Sequence, residues 1–273
     1  MLKKTFKLVS IFILVLISFI YTNKVFSSIK STDPLMKSIK TYKRKNDVKE
    51  VNCLINNDEV ILGIPGLKVD VNESYKNMKN DGVFSKEKII YKKQNIKNMN
   101  DYYIVNGNTK DKYVYIILVL SNNSINNIIS NINNSTINVF VDGKYLENNI
   151  NIGFDIVNNG FELYNLGYNN AYTKRNIDVT NNLIESITLK KSNYCLFINK
   201  NDKNKKICTS KNMYSIKPYL VNPNVLDIKK KLRNGLIISF DSTITNAKEL
   251  NMIINIIKSK GYELKGLSSL NIN

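Results

Sequence analysis

Apolar positions along the second half of this chain alternate between two rhythms. Tyr113 to Leu120 is an unbroken apolar run, the pattern of a strand buried on both faces. Ile125, Ile128, Ile129 and Ile132 then recur at helical spacing. A second β-branched run, Ile137 to Val141, stops at Asp142-Gly143, and an amphipathic segment follows as far as Asn159-Gly160. Phe161 to Tyr164 predicts another short strand, running into the Asn-rich turn Asn165 to Asn170. Strand, helix and strand within about thirty residues is the βαβ unit of a parallel sheet. Ile177, Ile184 and Ile187 predict a further helix, Tyr194 to Ile198 a further strand, and residues 199–212 a charged loop with little core to offer. Gly235 to Phe240 predicts a buried strand ending at Asp241. Leu250, Ile253, Ile254 and Ile257 mark a helix with Gly261 just past its end. Periodicity alone thus argues for a parallel α/β, barrel-like domain over 111–273. In such folds chemistry sits in the turns after the strand carboxyl ends, which singles out Asn165 to Asn170.

The first half reads differently. Residues 1–28 begin with Lys3, Lys4 and Lys7, followed by an apolar run from Leu8 to Tyr21 broken only by Ser10 and Ser18. This is a signal peptide or a signal anchor. The run is near the lower length limit of a spanning helix, about 17 residues. Val25-Phe26-Ser27 is a passable cleavage site, but the bulky Phe19-Ile20-Tyr21 before it favours a retained transmembrane helix. The excess of Lys ahead of the segment places residues 29–273 outside, on a single-pass protein of the cell membrane. Residues 29–110 predict a juxtamembrane segment and a small α+β domain. Within it a helix starts at Asp33-Pro34 with Leu35, Ile39 and Tyr42 on one face. Short strands follow at Glu59 to Leu62 and Lys68 to Val71, then a helix capped by Asn72, and a strand near Ile89 to Tyr91.

Composition changes the picture chiefly by exclusion. The 273 residues hold no His, which removes His nucleophile systems, His acid–base catalysis and every His-containing metal site. Trp is absent too, so any sugar-binding face must be built from the 16 Tyr and 10 Phe. Formal charge is +18, from 40 Lys and Arg against 22 Asp and Glu. This means either attraction to anionic surfaces or a general bias toward Lys and Asn. No nucleic-acid motif is present. Cys195 and Cys208 can pair and leave Cys53 free, or both can be inert buried thiols; spacing does not decide between them.

VFVDGKYLENN followed by NNGFELYNLGYNN resembles the polysaccharide deacetylase (NodB-homology, carbohydrate esterase) family, whose members pair a TFFVxGxxL strand with a GHExGNHxxxH turn. The ending KGYELKGLSSL is similar to the family's KGYxFVxLSxL, and the likeness spans roughly Lys112 to Leu270. The resemblance implies the family's distorted (β/α) barrel. It also implies a zinc site of one Asp and two His, with a second Asp as general base and a further His as general acid. Here the Asp-Asp positions fall on Val119 and Leu120, and the His positions of the turn on Phe161, Leu166 and Asn170. The late His-Asp falls on Phe240-Asp241 or Asp241-Ser242. The family's zinc site is therefore expected to be lost, leaving Asp241 as a lone carboxylate and no cofactor. Asn165, Tyr168, Asn169 and Asn170 are expected at the barrel mouth, either as possible glycan contacts or as turn formers beside a pocket filled by Leu120 and Leu166. The resulting expectation is a membrane-anchored, extracytoplasmic pseudoenzyme of the cell envelope. Its expected partners are a cell-wall glycan or an envelope protein, with no nucleic acid. The rival expectation is an active hydrolase removing N-acetyl groups from a wall polysaccharide through an unorthodox site.

Overall fold

A computed structural model describes residues 12–22, 33–94, 99–120, 128, 131–132, 136–270 and 272. The chain forms two compact units interleaved in sequence, Met1–Glu50 with Gly66–Gln94, and Val51–Pro65 with Asn95–Asn273. Thirteen strands carry them among the described residues: β1 (Leu54–Asn56), β2 (Glu59–Ile61), β3 (Gly66–Val69), β4 (Tyr91–Gln94), β5 (Tyr103–Asn106), β6 (Tyr113–Leu120), β7 (Asn138–Val141), β8 (Glu162–Asn165), β9 (Tyr194–Leu196), β10 (Tyr214–Ile216), β11 (Leu220–Val221), β12 (Leu236–Asp241) and β13 (Glu263–Leu264).

In the first unit, Asp33 caps the helix Pro34–Asn46 by accepting from the Leu35 amide at 2.7 Å, and Pro34 supplies the preset first-turn backbone. The second helix, Val71–Met78, is capped by Asp70 rather than by Asn72. The Asp70 carboxylate accepts from both the Asn72 and Glu73 amides at 3.1 Å. Leu35, Ile39, Val69, Met78 and Ile89 form the core of this unit beside the antiparallel pair β3–β4. Residues 12–22 are helical, and Phe12, Ile13, Leu14, Val15 and Phe19 are exposed on them. Among the described residues no helix is long and apolar enough to cross a membrane. The rest of the segment expected to span one lies outside the described residues.

In the second unit β6, β7, β8 and β9 are successive parallel neighbours. The ring continues through β10 and β5, while β12 flanks β6 on its other side. It closes where β5 meets β12 antiparallel at Asn106 and Leu236. A short clasp holds this seam. The Gly107 amide donates to the Gly235 carbonyl at 2.7 Å, and the buried Asn106 side-chain amide donates to the Gly107 and Asn234 carbonyls at 2.9 Å. Its carbonyl oxygen accepts from Arg233 at 3.1 Å. Gly235 has φ +75°, and a Cβ there would lie 2.5 Å from Asn106 Nδ2, so this corner requires glycine. The closing strand therefore comes from before position 111. Val51–Pro65 and Asn95–Lys110, expected in the preceding segment, belong to the barrel unit.

Strand alternation divides the apolar residues between two layers. Val114, Ile116, Leu118 and Leu120 of β6 face outward to pack with Ile184, Leu250, Ile253, Ile254 and Ile257 of the surrounding helices. Tyr115, Ile117 and Val119 belong to the interior set with Phe140, Tyr164, Tyr194, Leu196, Ile216 and Ile237. Across neighbouring strands the ring centroids of Phe140 and Tyr164 lie 5.2 Å apart, and those of Tyr164 and Tyr194 lie 5.4 Å apart. Leu267, Leu270 and Ile272 from the C-terminal turn complete this interior. Tyr194 donates to the Leu267 carbonyl at 3.0 Å, and Asn138 Oδ1 accepts from the Leu267 amide at 2.6 Å.

The helix expected over Ile125 to Ile132 lies almost wholly outside the described residues. The stretch expected as a loop at 199–212 instead holds the helix Asp202–Thr209, capped by Asn201, with Cys208 fully buried. Cys208 is disulfide-bonded to Cys195, leaving Cys53 as the free thiol.

Candidate functional site

The mouth of the barrel lies at the carboxyl ends of β6, β7, β8 and β12, and its first feature is an Asp that the sequence reading treated only as a strand stop. Asp142 follows β7 and caps the helix Gly143–Asn148, with Oδ1 accepting from the Lys144 amide at 2.9 Å and the Tyr145 amide at 3.3 Å. Its Oδ2 accepts from the Asn170 amide at 2.8 Å, so one buried carboxylate ties the β7 exit to the turn after β8. Asp-Gly after a β-branched run is the readable signal for such a cap. Gly143 touches the same turn through its amide, which donates to the Gly167 carbonyl at 2.8 Å. A Cβ at Gly143 would stand 1.9 Å from Thr180 Oγ1.

The turn 165–170 satisfies itself. Asn165 was expected at the mouth, as a possible glycan contact or as a turn former, and it is fully buried. Its side-chain amide donates to the Ile177 carbonyl at 3.0 Å and to Asn181 Oδ1 at 2.9 Å, while its Oδ1 accepts from the Gly167 amide at 2.7 Å. A buried polar side chain with every group bonded is a structural member. Tyr168 is half-buried and its hydroxyl donates to Glu147 at 2.5 Å. Hydrogen bonding to that carboxylate is the main cause that raises the Tyr168 phenol pKa. Asn169 and Asn170 adopt φ of 51° and 58° with exposed side chains, a conformation Asn tolerates better than most residues. Asn169, Asn170 and the Tyr168 edge are what the turn presents to solvent.

Of the positions that the resemblance aligned with the family's site, Val119 and Leu166 face the barrel interior and Leu120 and Phe161 do not. Val119 and Leu166 pack on the interior cluster of Tyr115, Ile117, Phe140 and Tyr164. Leu120 is turned the other way, into the helix-facing layer, because successive strand residues alternate faces. It does not fill the mouth, contrary to the expectation that it would join Leu166 there. Phe161 is likewise in the helix-facing layer. Asp241 pairs in register with Val119 across β12 and β6. Its carboxylate accepts from the Thr243 amide at 2.8 Å, and its own amide donates to Asn222 Oδ1 at 2.8 Å. Ser242 is buried.

A tetrahedral zinc site needs three protein donors converging on one point with a fourth position open. Val119 and Leu166 carry no donor atom, and Asp241 has one oxygen committed to its own turn. Among the described residues no cluster of three His, Cys, Asp or Glu side chains is placed to hold a metal ion. The residues present do not fit a zinc ion. What the mouth offers is an apolar inner face under a rigid, internally bonded amide turn.

The barrel with its turn-borne mouth is the fold of the family 4 carbohydrate esterases, the polysaccharide deacetylases. It is similar to that of BA3943 from Bacillus anthracis, a family 4 pseudoenzyme, with a TM-score of 0.63 and 19% identity over 87% of this chain and 95% of that one. A BA3943 mutant with restored enzymatic activity superposes with a TM-score of 0.62 and 20% identity, over 87% of this chain and 98% of that one. The Bc1960 peptidoglycan N-acetylglucosamine deacetylase matches 62% of this chain and 92% of its own, with a TM-score of 0.56 and 17% identity. In sequence the chain is 26% identical to the uncharacterized protein YlxY of Bacillus subtilis (strain 168) over 275 residues, spanning 88% of this chain and 84% of YlxY. No protein-family model matches the chain.

Proposed function

We propose that this chain is a catalytically inactive, deacetylase-like protein of the cell envelope, held at the membrane by its N-terminal apolar segment and acting outside as a glycan-binding or scaffolding module. The observation that carries the reading is the side-chain chemistry of the mouth. Val119 and Leu166 point inward where the family resemblance calls for an acid and a His, and they extend the apolar interior. Deacetylation by this family requires a polarised acetamide carbonyl and an activated water, and aliphatic side chains supply neither. The likeness to BA3943, itself a pseudoenzyme, supports the same reading. An outward location is supported by the Lys-flanked apolar start of the chain and by the Cys195–Cys208 disulfide, since such bonds persist in oxidising compartments.

Acetate release from N-acetylglucosamine oligomers, with zinc added, tests inactivity. The expected result is no release above a protein-free blank; release abolished by a chelator would overturn the proposal and establish the hydrolase. Co-sedimentation with cell-wall sacculi at low salt and at about 1 M salt, where the screening length falls to about 3 Å, separates a shaped site from bulk attraction. Replacing Asn169 and Asn170 by Gly removes both amides and keeps the left-handed turn. Salt-resistant retention lost in that variant means a glycan site, and retention unchanged means a scaffold.

A further inference from the structure

The first unit holds a groove that the reading above does not use. Lys37, Ser38, Thr41, Tyr42, Lys45 and Asn46 of the helix Pro34–Asn46 line it, with Phe84 and Lys86 opposite, enclosing about 580 Å³. Tyr42 and Phe84 lie together with ring centroids 5.5 Å apart at 48°. The helix carries Lys37, Lys40, Lys43, Arg44 and Lys45 and no acidic residue. Cations in its last turn are favoured by the helix dipole, but that field does not favour Lys37, one turn from the amino end. Lys37 and Lys45 form no ion pair among the described residues, and Glu87, beside Lys86, is bonded by the Ser85 hydroxyl. Lys37, Thr41 and Lys45 follow one another at four-residue spacing, which spreads the two ammonium groups over about 12 Å of helix.

We propose that this groove binds a linear polyanion whose repeats join a polyol or sugar to a phosphate. Cations spread along a line match a ligand with repeated charges better than a single headgroup, which would need them to converge. The Ser38 hydroxyl already donates to the Pro34 carbonyl at 3.0 Å and the Asn46 amide nitrogen to the Tyr42 carbonyl at 2.8 Å, so their oxygens serve as acceptors for polyol hydroxyls beside the Thr41 hydroxyl, and the aromatic pair gives a face for the carbon skeleton. The site lies within the first unit and is independent of whether the barrel is catalytic.

The test measures binding of the full chain to poly(glycerol phosphate), with neutral dextran and phosphatidylglycerol vesicles as comparators. Lys37→Glu, Lys45→Glu and Lys86→Glu together should weaken polymer binding by at least about tenfold and flatten its salt dependence. Lys229→Glu, Lys230→Glu and Lys260→Glu make the same charge change on the barrel unit and should leave affinity within about twofold. Lys37→Gln, Lys45→Gln and Lys86→Gln, with an unchanged melting temperature, should reproduce the loss without charge reversal. Equal weakening in the barrel variant would reduce the effect to bulk charge and overturn the proposal. So would equal binding of dextran, binding of vesicles but not polymer, or no binding of polymer at all.

Discussion

Position 120 shows how much one residue of strand phase decides. Val119 and Leu120 both stand where acids were expected, yet one faces the interior and the other the helices. Leu120→Asp should cost about 4 kcal/mol or more, because an unpaired charge enters a packed layer. Val119→Asp, beside the half-exposed mouth, should cost about 1–2 kcal/mol; urea unfolding of the two variants checks the order. Asn106 offers a second contrast at this scale. Asn106→Ala leaves the Gly107 and Asn234 carbonyls without their donor and should lose about 2–3 kcal/mol by the same assay. The lack of chemistry at Leu166 was plain from residue type. The burial of Asn165 was not, because Asn is common throughout the chain and only the fold decides which copies are bonded inside.

Buried phenols set the pH behaviour. Burial pushes Tyr115 up to about 12, and it raises Tyr164, Tyr172 and Tyr194 as well, with the Glu162 carboxylate adding to the effect at Tyr164. A group whose folded pKa lies above its unfolded value stabilises the fold below the unfolded value and loses that contribution as pH rises through the folded one. Stability should therefore fall as pH climbs from about 10 toward 12, with tyrosinate absorbance appearing together with loss of the far-ultraviolet helix signal. With no His in the chain, the unfolding midpoint should be nearly flat between about pH 5 and 8.

At the level of elements, long apolar runs were legible and short masked ones were not. β6, β12 and the helix Ala247–Ser259 carry unbroken or strictly periodic hydrophobes, and all three were expected. The helix Asp202–Thr209 was missed because Asp202, Lys203, Lys205 and Lys206 crowd a segment whose only fully buried side chain is Cys208. What anchors that helix is the bond to Cys195 on β9, 13 positions earlier, a pairing that sequence left open. Closing a loop of this length stabilises by about 3 kcal/mol. Cys195→Ala with Cys208→Ala should lower the urea midpoint correspondingly, and reductant should shift the wild-type midpoint toward the variant's. The cap of the helix Val71–Met78 was open for a different reason. Asp70 and Asn72 are both good caps, and the helix begins at Val71 with Asp70 extended (φ −78°, ψ 96°), which makes Asp70 the cap and places Asn72 inside the first turn.

At the scale of the whole chain, the segments of the two units alternate in sequence, with the chain crossing from one to the other at three places. The barrel-like class was legible from alternating periods over 111–273. The closing strand was not, because β5 is only four residues long and sits outside the repeating pattern. Its position makes β5 the keystone between β10 and β12. A chain cut to begin at 111 would open the ring into a sheet with two raw edges and no partner for the Gly235 carbonyl. Such a protein should gather into oligomers by edge pairing, visible in size-exclusion chromatography. A synthetic peptide spanning 99–110, added in trans, should seat in the gap and return it to monomer.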